Sequence, residues 1–202
     1  MQIQIDNRNS NIVYTGYQFG NYFRVDLESN KNKYIQPKHE LGEAPYRFNW
    51  QTPILLSSHN QDILYYGGNK LHRSLNQGDD WTAISDDLTQ GGKKGNVAFG
   101  TLTTISESPA QFGFLYTGSD DGYAYRSENG GGSWDRISDE LPQNLWVSRI
   151  VASEHQKERV YITLNGYRDD DFKSYVYVSE NKGDVWRSIN ANLPNSPINV
   201  IR

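Results

Sequence analysis

A short motif, Ser-x-Asn-x-Gly-x-x-Trp, occurs three times along this chain of 202 residues. The copies are SLNQGDDW at residues 74–81, SENGGGSW at residues 127–134 and SENKGDVW at residues 179–186, and they begin 53 and 52 residues apart. We call each copy a Ser–Trp box. A fixed period near fifty residues indicates stacked copies of one supersecondary unit, because a single unit cannot bury its apolar surface alone.

The residue types of the Ser–Trp box predict a hairpin turn that is held by its own side chains. The asparagine can bond the backbone two residues on, and the glycine supplies a positive φ without a Cβ clash. The serine hydroxyl can bond across the turn, while the tryptophan supplies apolar surface and an indole N–H that needs an acceptor. The defining residues are Ser74, Asn76, Gly78, Trp81, Ser127, Asn129, Gly131, Trp134, Ser179, Asn181, Gly183 and Trp186.

A second register, independent of the boxes, shows that there are four units. Tyrosines in strand-like strings recur with spacings of 51, 51 and 45 residues, at Tyr14, Tyr65, Tyr116 and Tyr161. Each unit contains four short segments rich in Val, Ile, Tyr and Thr with turn signals between them, which is typical of a propeller blade. The predicted blades span about residues 1–41, 47–88, 97–141 and 145–193, and residues 197–202 are predicted to start a further blade.

The fold prediction is therefore all-β: one partial, open β-propeller of about four four-stranded antiparallel blades. In the first blade, residues 29–34 (SNKNKY) are predicted to form a degenerate turn in place of a box. A propeller closes by packing its last blade on its first, and this chain begins and ends on predicted inner strands. We therefore expect an open arc whose exposed strand edges favour edge-to-edge self-association.

The three boxes resemble the Asp-box, or bacterial neuraminidase repeat, Ser-x-Asp-x-Gly-x-x-Trp, of propellers in sialidases, some endoglucanases and sortilin-like proteins. Asparagine stands where aspartate is commonest, which keeps the turn acceptor and removes a charge. Longer strings, such as RFNWQTPILLS and LYYGGNKLHRS, resemble large bacterial sortilin-like and Asp-box glycosyl hydrolase repeat proteins. This resemblance covers nearly the whole chain. It implies an internal fragment of a secreted, periplasmic or cell-surface protein, with the Asp-boxes away from any active site.

Composition excludes several classes of function. The formal net charge of −4 argues against a nucleic-acid interface, which needs a basic face. No apolar run approaches the roughly 20 residues of a membrane span. Cysteine is absent, so thiolate metal sites are excluded. The histidines show no metal-ligand spacing, so we predict neither a metal nor a cofactor; they are His39, His59, His72 and His155.

Aromatic residues are predicted at the entrance of three successive inner strands, at Trp50, Phe99 and Trp146. The loops that lead into a new blade, and those between the second and third strands, lie on the face of a propeller that usually binds ligands. The three aromatics therefore predict either a stacking platform for sugar rings or a peptide, or simple packing between blades.

The predicted loop between the second and third strands of the last blade, NGYRDDDFKS, is the longest and most charged of its kind. Its carboxylates suggest a cation site or half of a glycosidase acid pair, and the alternative is a solvated loop with an internal Arg–Asp pair. Asp120 and Asp121 could likewise belong to a ligand site or simply stabilise a turn, and the role in a turn is favoured. The candidate ligand-binding residues are Trp50, Phe99, Asp120, Asp121, Trp146, Arg149, Tyr167, Arg168 and Asp170.

Two functions are compatible with these residues. The first is a binding or scaffold module that presents its loop face to a glycan, a peptide or a protein. The second is part of a sialidase-like or endoglucanase-like glycoside hydrolase whose catalytic carboxylates lie partly on other blades. An enzyme should show two carboxylates about 5 to 9 Å apart across one cleft, whereas a binding module should show aromatic and mixed polar groups. We predict no catalytic residue in this segment.

Overall fold

The computed structural model describes residues 2–95 and 97–201. Within this part of the chain it contains sixteen β-strands and one turn of 3-10 helix, Tyr167–Asp169. That turn is far too short to cross a membrane, and the described residues contain no longer helix.

The strands form four sheets of four strands each. The first sheet contains β1 (Gln4–Ile5), β2 (Ile12–Tyr17), β3 (Asn21–Asp26) and β4 (Lys31–Tyr34). The second contains β5 (Ile54–Leu56), β6 (Leu64–Gly67), β7 (Leu71–Ser74) and β8 (Thr82–Ala83). The third contains β9 (Leu102–Glu107), β10 (Leu115–Ser119), β11 (Ala124–Ser127) and β12 (Asp135–Arg136). The fourth contains β13 (Trp146–Ala152), β14 (Val160–Gly166), β15 (Asp171–Ser179) and β16 (Arg187–Ser188).

Each sheet is antiparallel, with its strands in chain order, and the inner strands of successive sheets lie side by side. Thus β1 contacts β5, and β9 contacts β5 and β13. This arrangement confirms the predicted all-β, open propeller of four blades, and the arc is unclosed. Two isoleucines in and next to β1 are largely exposed at one end of the arc, Ile3 at 61% and Ile5 at 52%. Edge-to-edge association through such a surface stays a prediction.

The hydrophobic core is divided into three clusters, one between each pair of successive blades. The repeated tyrosines of the second strands belong to these clusters: Tyr14, Tyr65 and Tyr116 are fully buried. Tyr161 is partly exposed, because its face of the fourth blade points toward the open end of the arc. The four-tyrosine register predicted from the sequence therefore marks four equivalent strands, of which only three are covered by a following blade.

The Ser–Trp boxes form the predicted turns, and their side chains bond in the same way in all three blades. In the third blade, the Ser127 hydroxyl donates to Asn129 Oδ1 at 3.0 Å and accepts from the N–H of Gly131 at 2.9 Å. Asn129 Oδ1 also accepts from the N–H of Ser133 at 2.9 Å. Gly131 adopts a φ of +94°, and an added Cβ would lie 2.7 Å from Ile84 Cβ in the preceding blade. Glycine is required there both for the backbone conformation and for the close approach of two blades.

The tryptophan of each box bonds to the preceding blade rather than to its own. The indole N–H donates to a backbone carbonyl just after the fourth strand of that blade. The bonds are Trp81 to Ile35 at 2.7 Å, Trp134 to Ile84 at 2.9 Å and Trp186 to Ile137 at 2.7 Å. The box therefore forms a turn and also bonds its blade to the preceding one.

A second hydrogen bond crosses each joint in the opposite direction. An arginine on the third strand of one blade donates to the carbonyl that precedes the glycine of the next box. The bonds are Arg24 to Gln77 at 3.0 Å, Arg73 to Gly130 at 3.1 Å and Arg126 to Lys182 at 3.2 Å. In the fourth blade the equivalent residue, opposite Tyr161 in the ladder, is Val178. Sequence reasoning missed these arginines, although they recur opposite the register tyrosines.

One prediction for the first blade differs from the structure, and one for the end of the chain is not tested by it. Residues 29–34 were predicted to be a turn, but Lys31–Tyr34 forms β4 and pairs with β3. The turn lies just before it, where Asp26 accepts from the Ser29 hydroxyl at 2.6 Å. Residues 197–201 have no assigned strand, although the Ser148 hydroxyl donates to the Ile198 carbonyl at 2.7 Å. That they begin a further blade stays a prediction, and Met1 and Arg202, the limits of the first and last predicted segments, lie outside the described residues.

Candidate functional site

A cavity of about 620 Å³ opens on the face of the arc where the inner strands begin. Its wall combines the turn before β5, the starts of β9 and β13, and the loop between β14 and β15. These are the connections that the sequence placed on the ligand face. With Gln2 from the first blade, the cavity brings together segments from all four blades.

Two of the three predicted aromatics line this cavity. Trp50 is 53% exposed, and its ring meets that of Phe19 edge-to-face with centroids 5.3 Å apart. Trp146 is partly buried and lines the same cavity. Phe99 does not belong to the cavity wall; the ammonium of Lys93 lies 3.6 Å from the centre of its ring. Trp50 thus contacts an aromatic residue of the first blade, while more than half of its surface remains exposed.

Phe19 is an aromatic of this face that sequence reasoning missed. It lies between β2 and β3 and is 44% exposed, with a φ of +59° that is uncommon for a bulky side chain. Two hydrogen bonds hold this backbone: Gln36 Nε2 donates to the Phe19 carbonyl at 2.8 Å, and the Tyr66 hydroxyl donates to the Gly20 carbonyl. The sequence signal that could have identified Phe19 is an aromatic residue next to a glycine in the loop between the second and third strands.

Asp120 lies behind the cavity wall and supports the turn that carries Trp50. It is buried, and its carboxylate accepts from the N–H of Thr101 at 2.9 Å and from Asn49 Nδ2 at 3.1 Å. Asn49 Oδ1 in turn accepts from the N–H of Gln51 at 3.1 Å. Burial raises the pKa of Asp120 above its ordinary value. Asp120 is thus placed to position the aromatic rather than to contact a ligand.

Asp121 is buried as well and does not line the cavity. Its carboxylate accepts from the Ser119 hydroxyl at 2.5 Å and from the N–H of Gln90 at 2.7 Å, and burial raises its pKa. It closes the turn after β10 and fixes the connection that leaves the second blade. The favoured turn role of these two aspartates agrees with this geometry.

The charged loop of the fourth blade divides into two parts with different surroundings. The Cζ atom of Arg168 lies over the indole of Trp146, 4.0 Å from its centre, and the neighbouring Tyr167 is 63% exposed. Asp171 accepts from the Tyr175 hydroxyl at 2.6 Å, a bond that lowers the pKa of its carboxyl. The predicted internal Arg–Asp pair is therefore wrong, because the helical turn directs Arg168 to Trp146 instead.

The carboxylates of this loop do not form a cation site. Asp170 is exposed in the left-handed conformation, with a φ of +57°. Among the described residues, no three Asp, Glu or His side chains converge closely enough to hold a metal ion. The loop contributes an arginine and a tyrosine to the cavity wall, while its aspartates lie outside it.

The cavity wall carries an unusual balance of charge for an acidic chain. Its charged side chains, among the described residues, are Arg149 and Arg168, and no Asp or Glu lines it. The remaining polar groups are amides and hydroxyls; Asn165 Nδ2, for example, donates to Asn199 Oδ1 at 2.6 Å. The carboxylate pair that would indicate glycoside hydrolysis is thus not found in the described wall.

We expect Asp120→Asn to lower the free energy of unfolding by about 1 to 3 kcal/mol, because an amide would set an N–H₂ group against the donors of Thr101 and Asn49. Urea denaturation measures this difference. Asp170→Asn makes the same chemical change at an exposed site where asparagine suits the backbone, so it should leave stability unchanged. Equal effects of the two substitutions would contradict the positioning role of Asp120.

No protein-family model matches this chain, and no curated protein matches it. Solved structures are similar to it. A GH74 xyloglucanase from Xanthomonas campestris has a TM-score of 0.64 at 12% identity, over 95% of this chain and 30% of its own. The Dos1 propeller has a TM-score of 0.64 at 13% identity, over 94% and 48%. An auxiliary nutrient binding protein from Bacteroides thetaiotaomicron has a TM-score of 0.57 at 12% identity, over 92% and 40%.

These similarities concern the fold. At 12% and 13% identity they establish a β-propeller and assign no chemistry to individual residues. The chain spans less than half the length of each of these structures.

Proposed function

We propose that this chain is a non-catalytic, carbohydrate-binding part of an Asp-box β-propeller, and that the cavity on its loop face holds the sugar. The observation that carries the proposal is the exposed ring of Trp50 in a cavity that Trp146, several amides and several hydroxyls also line. Sugar rings stack their C–H faces on aromatic side chains, while amides donate to and accept from their hydroxyls.

The exposed aromatic side chain on the loop face supports sugar binding there. Trp50 exposes more than half of its surface although an indole normally gains by burial, and it is backed by Phe19 and by the bonded turn around Asn49. A rigid, exposed aromatic loses little conformational entropy on binding, which favours affinity. Sugar binding explains why this side chain is held in place but left uncovered.

We assign no residue to hydrolysis of the bound sugar. Glycoside hydrolases, except for special cases, need an acid and a second carboxylate across the scissile bond. The described cavity wall contains neither. A peptide or protein ligand would use the same aromatics, but the density of amide and hydroxyl groups favours a polyhydroxylated ligand. An extracellular or periplasmic place of action belongs to this proposal, as the resemblance to secreted repeat proteins implies.

A glycan array identifies the ligand, and calorimetry with one positive oligosaccharide tests the site. We expect Trp50→Ala to weaken binding by at least about tenfold, since loss of a stacking aromatic removes well over 1 kcal/mol. Phe112→Ala provides a matched control, because Phe112 is 51% exposed and lies outside the cavity wall. Binding that survives Trp50→Ala, or that is lost equally in both variants, would refute the proposed site.

A further inference from the structure

The cavity differs in charge from the chain that surrounds it. The chain has a formal net charge of −4, yet the described wall of the cavity contains Arg168 and no Asp or Glu side chain. A cleft lined by one sign of charge attracts ligands of the opposite sign. A neutral sugar would gain no charge attraction from this arrangement.

Arg168 has the geometry of an anion-binding residue. Three aspartates follow it in the sequence, but no described carboxylate lies within ion-pair distance of its guanidinium. Its partner is the indole of Trp146, 4.0 Å away. Stacking uses the face of the guanidinium and leaves the N–H donors in its plane, where they can bond a carboxylate through two parallel hydrogen bonds.

The stacking also fixes the arginine before a ligand arrives. A free arginine side chain loses much rotamer freedom when it is ordered, whereas one already held on an indole loses less. Trp50 offers a ring surface in the same cavity. The cavity thus combines a platform for a sugar ring with a preset donor for an acidic substituent.

We infer that the ligand of this cavity is an acidic oligosaccharide, that is, a chain containing uronic acid units whose carboxylate bonds Arg168. The inference rests on the proposed function and specifies its ligand class. The carboxylate distinguishes the ligand from the neutral sugar of the same stereochemistry, and its planar shape distinguishes it from a sulfate ester.

Matched pairs of sugars test the inference. Calorimetry is run with trisaccharides of galacturonic, glucuronic and mannuronic acid and with their carboxyl-reduced counterparts, which differ only at C6. For at least one stereochemistry the acid should bind about 10- to 100-fold more tightly, the range for a charge-assisted bond. The preference should shrink as salt is raised, because the interaction is partly exposed.

Variants of Arg168 provide the residue-level test. Arg168→Gln should remove most of the preference for the acid, because the glutamine amide has neither the charge nor the paired donors of a guanidinium. Arg168→Lys should give an intermediate preference, because lysine keeps the charge but not the paired donors. Arg187→Gln, on the exposed outer strand of the same blade, should leave both affinities unchanged.

The outcomes separate this inference from the proposed function. Equal binding of acid and neutral sugars, or tighter binding of a sulfated trisaccharide, would overturn the acidic ligand while Trp50-dependent sugar binding still stands. A preference that persists in Arg168→Gln would overturn the assigned residue. Failure of every sugar to bind would overturn the proposed function, and the inference with it.

Discussion

Trp134→Ala is expected to lower the free energy of unfolding by about 3 kcal/mol, at the lower end of the range for removal of a buried tryptophan, because this side chain is partly exposed. Two contributions are lost together. The indole packs against the core cluster between the second and third blades, and its N–H donates to the Ile84 carbonyl at 2.9 Å. Urea denaturation followed by circular dichroism measures the effect.

Two further variants separate these contributions. Trp134→Phe keeps an aromatic ring but removes the donor, and it should cost about 1 kcal/mol, the net value of one hydrogen bond. Trp50→Ala removes the same side chain from an exposed position without such a bond, so its effect on stability should be well below that of Trp134→Ala. Equal losses of unfolding free energy in Trp134→Ala and Trp50→Ala would contradict the idea that the box tryptophan stabilises the contact between blades.

Lowering the pH from 7 to 4 is expected to remove about 3 kcal/mol of stability through His72 alone. This imidazole is 2% exposed against Tyr46, and neither ring nitrogen has a partner among the described residues. Burial, with a smaller contribution from Lys70, lowers its pKa from 6.5 to about 4. Between these two values the unfolded chain binds the proton and the folded chain does not, so the stability present above pH 6.5 falls as the pH is lowered toward 4.

His72→Phe should remove this part of the pH dependence. Phenylalanine is a suitable replacement because the equivalent ladder positions hold Phe23, Tyr125 and Tyr177. Urea denaturation of both proteins at several pH values between 7.5 and 4 should give curves of stability that diverge as the pH falls. Parallel curves would show that His72 has the same pKa in the folded and unfolded chains, and would contradict the prediction.

The fold was predictable because its signal is local and repeated. The serine, asparagine and glycine of each box bond within eight residues, and the tyrosines recur at a similar interval. The first blade was harder, since it lacks a box and its fourth strand, Lys31–Tyr34, is formed of polar, exposed residues. Its strand character comes from pairing with β3 and not from its own composition.

The candidate site was less predictable because it depends on contacts between blades. Their position at the entrance of an inner strand identified Trp50 and Trp146 as residues of the site. The same criterion also selected Phe99, which lies outside the cavity wall with the Lys93 ammonium over its ring. Charge patterning suggested that Arg168 would pair with its aspartate neighbours. The choice of Trp146 instead follows from how the helical turn meets β13, which no local pattern encodes.

The reciprocal bonds between blades have a consequence for how such a chain can evolve. Every described joint uses one indole and one guanidinium as donors and two backbone carbonyls as acceptors, so this pair of bonds is the same at each joint. Duplication or deletion of a whole blade by recombination would therefore keep both bonds at the new joint. Selection can then act on the loops and on the remaining contacts between blades.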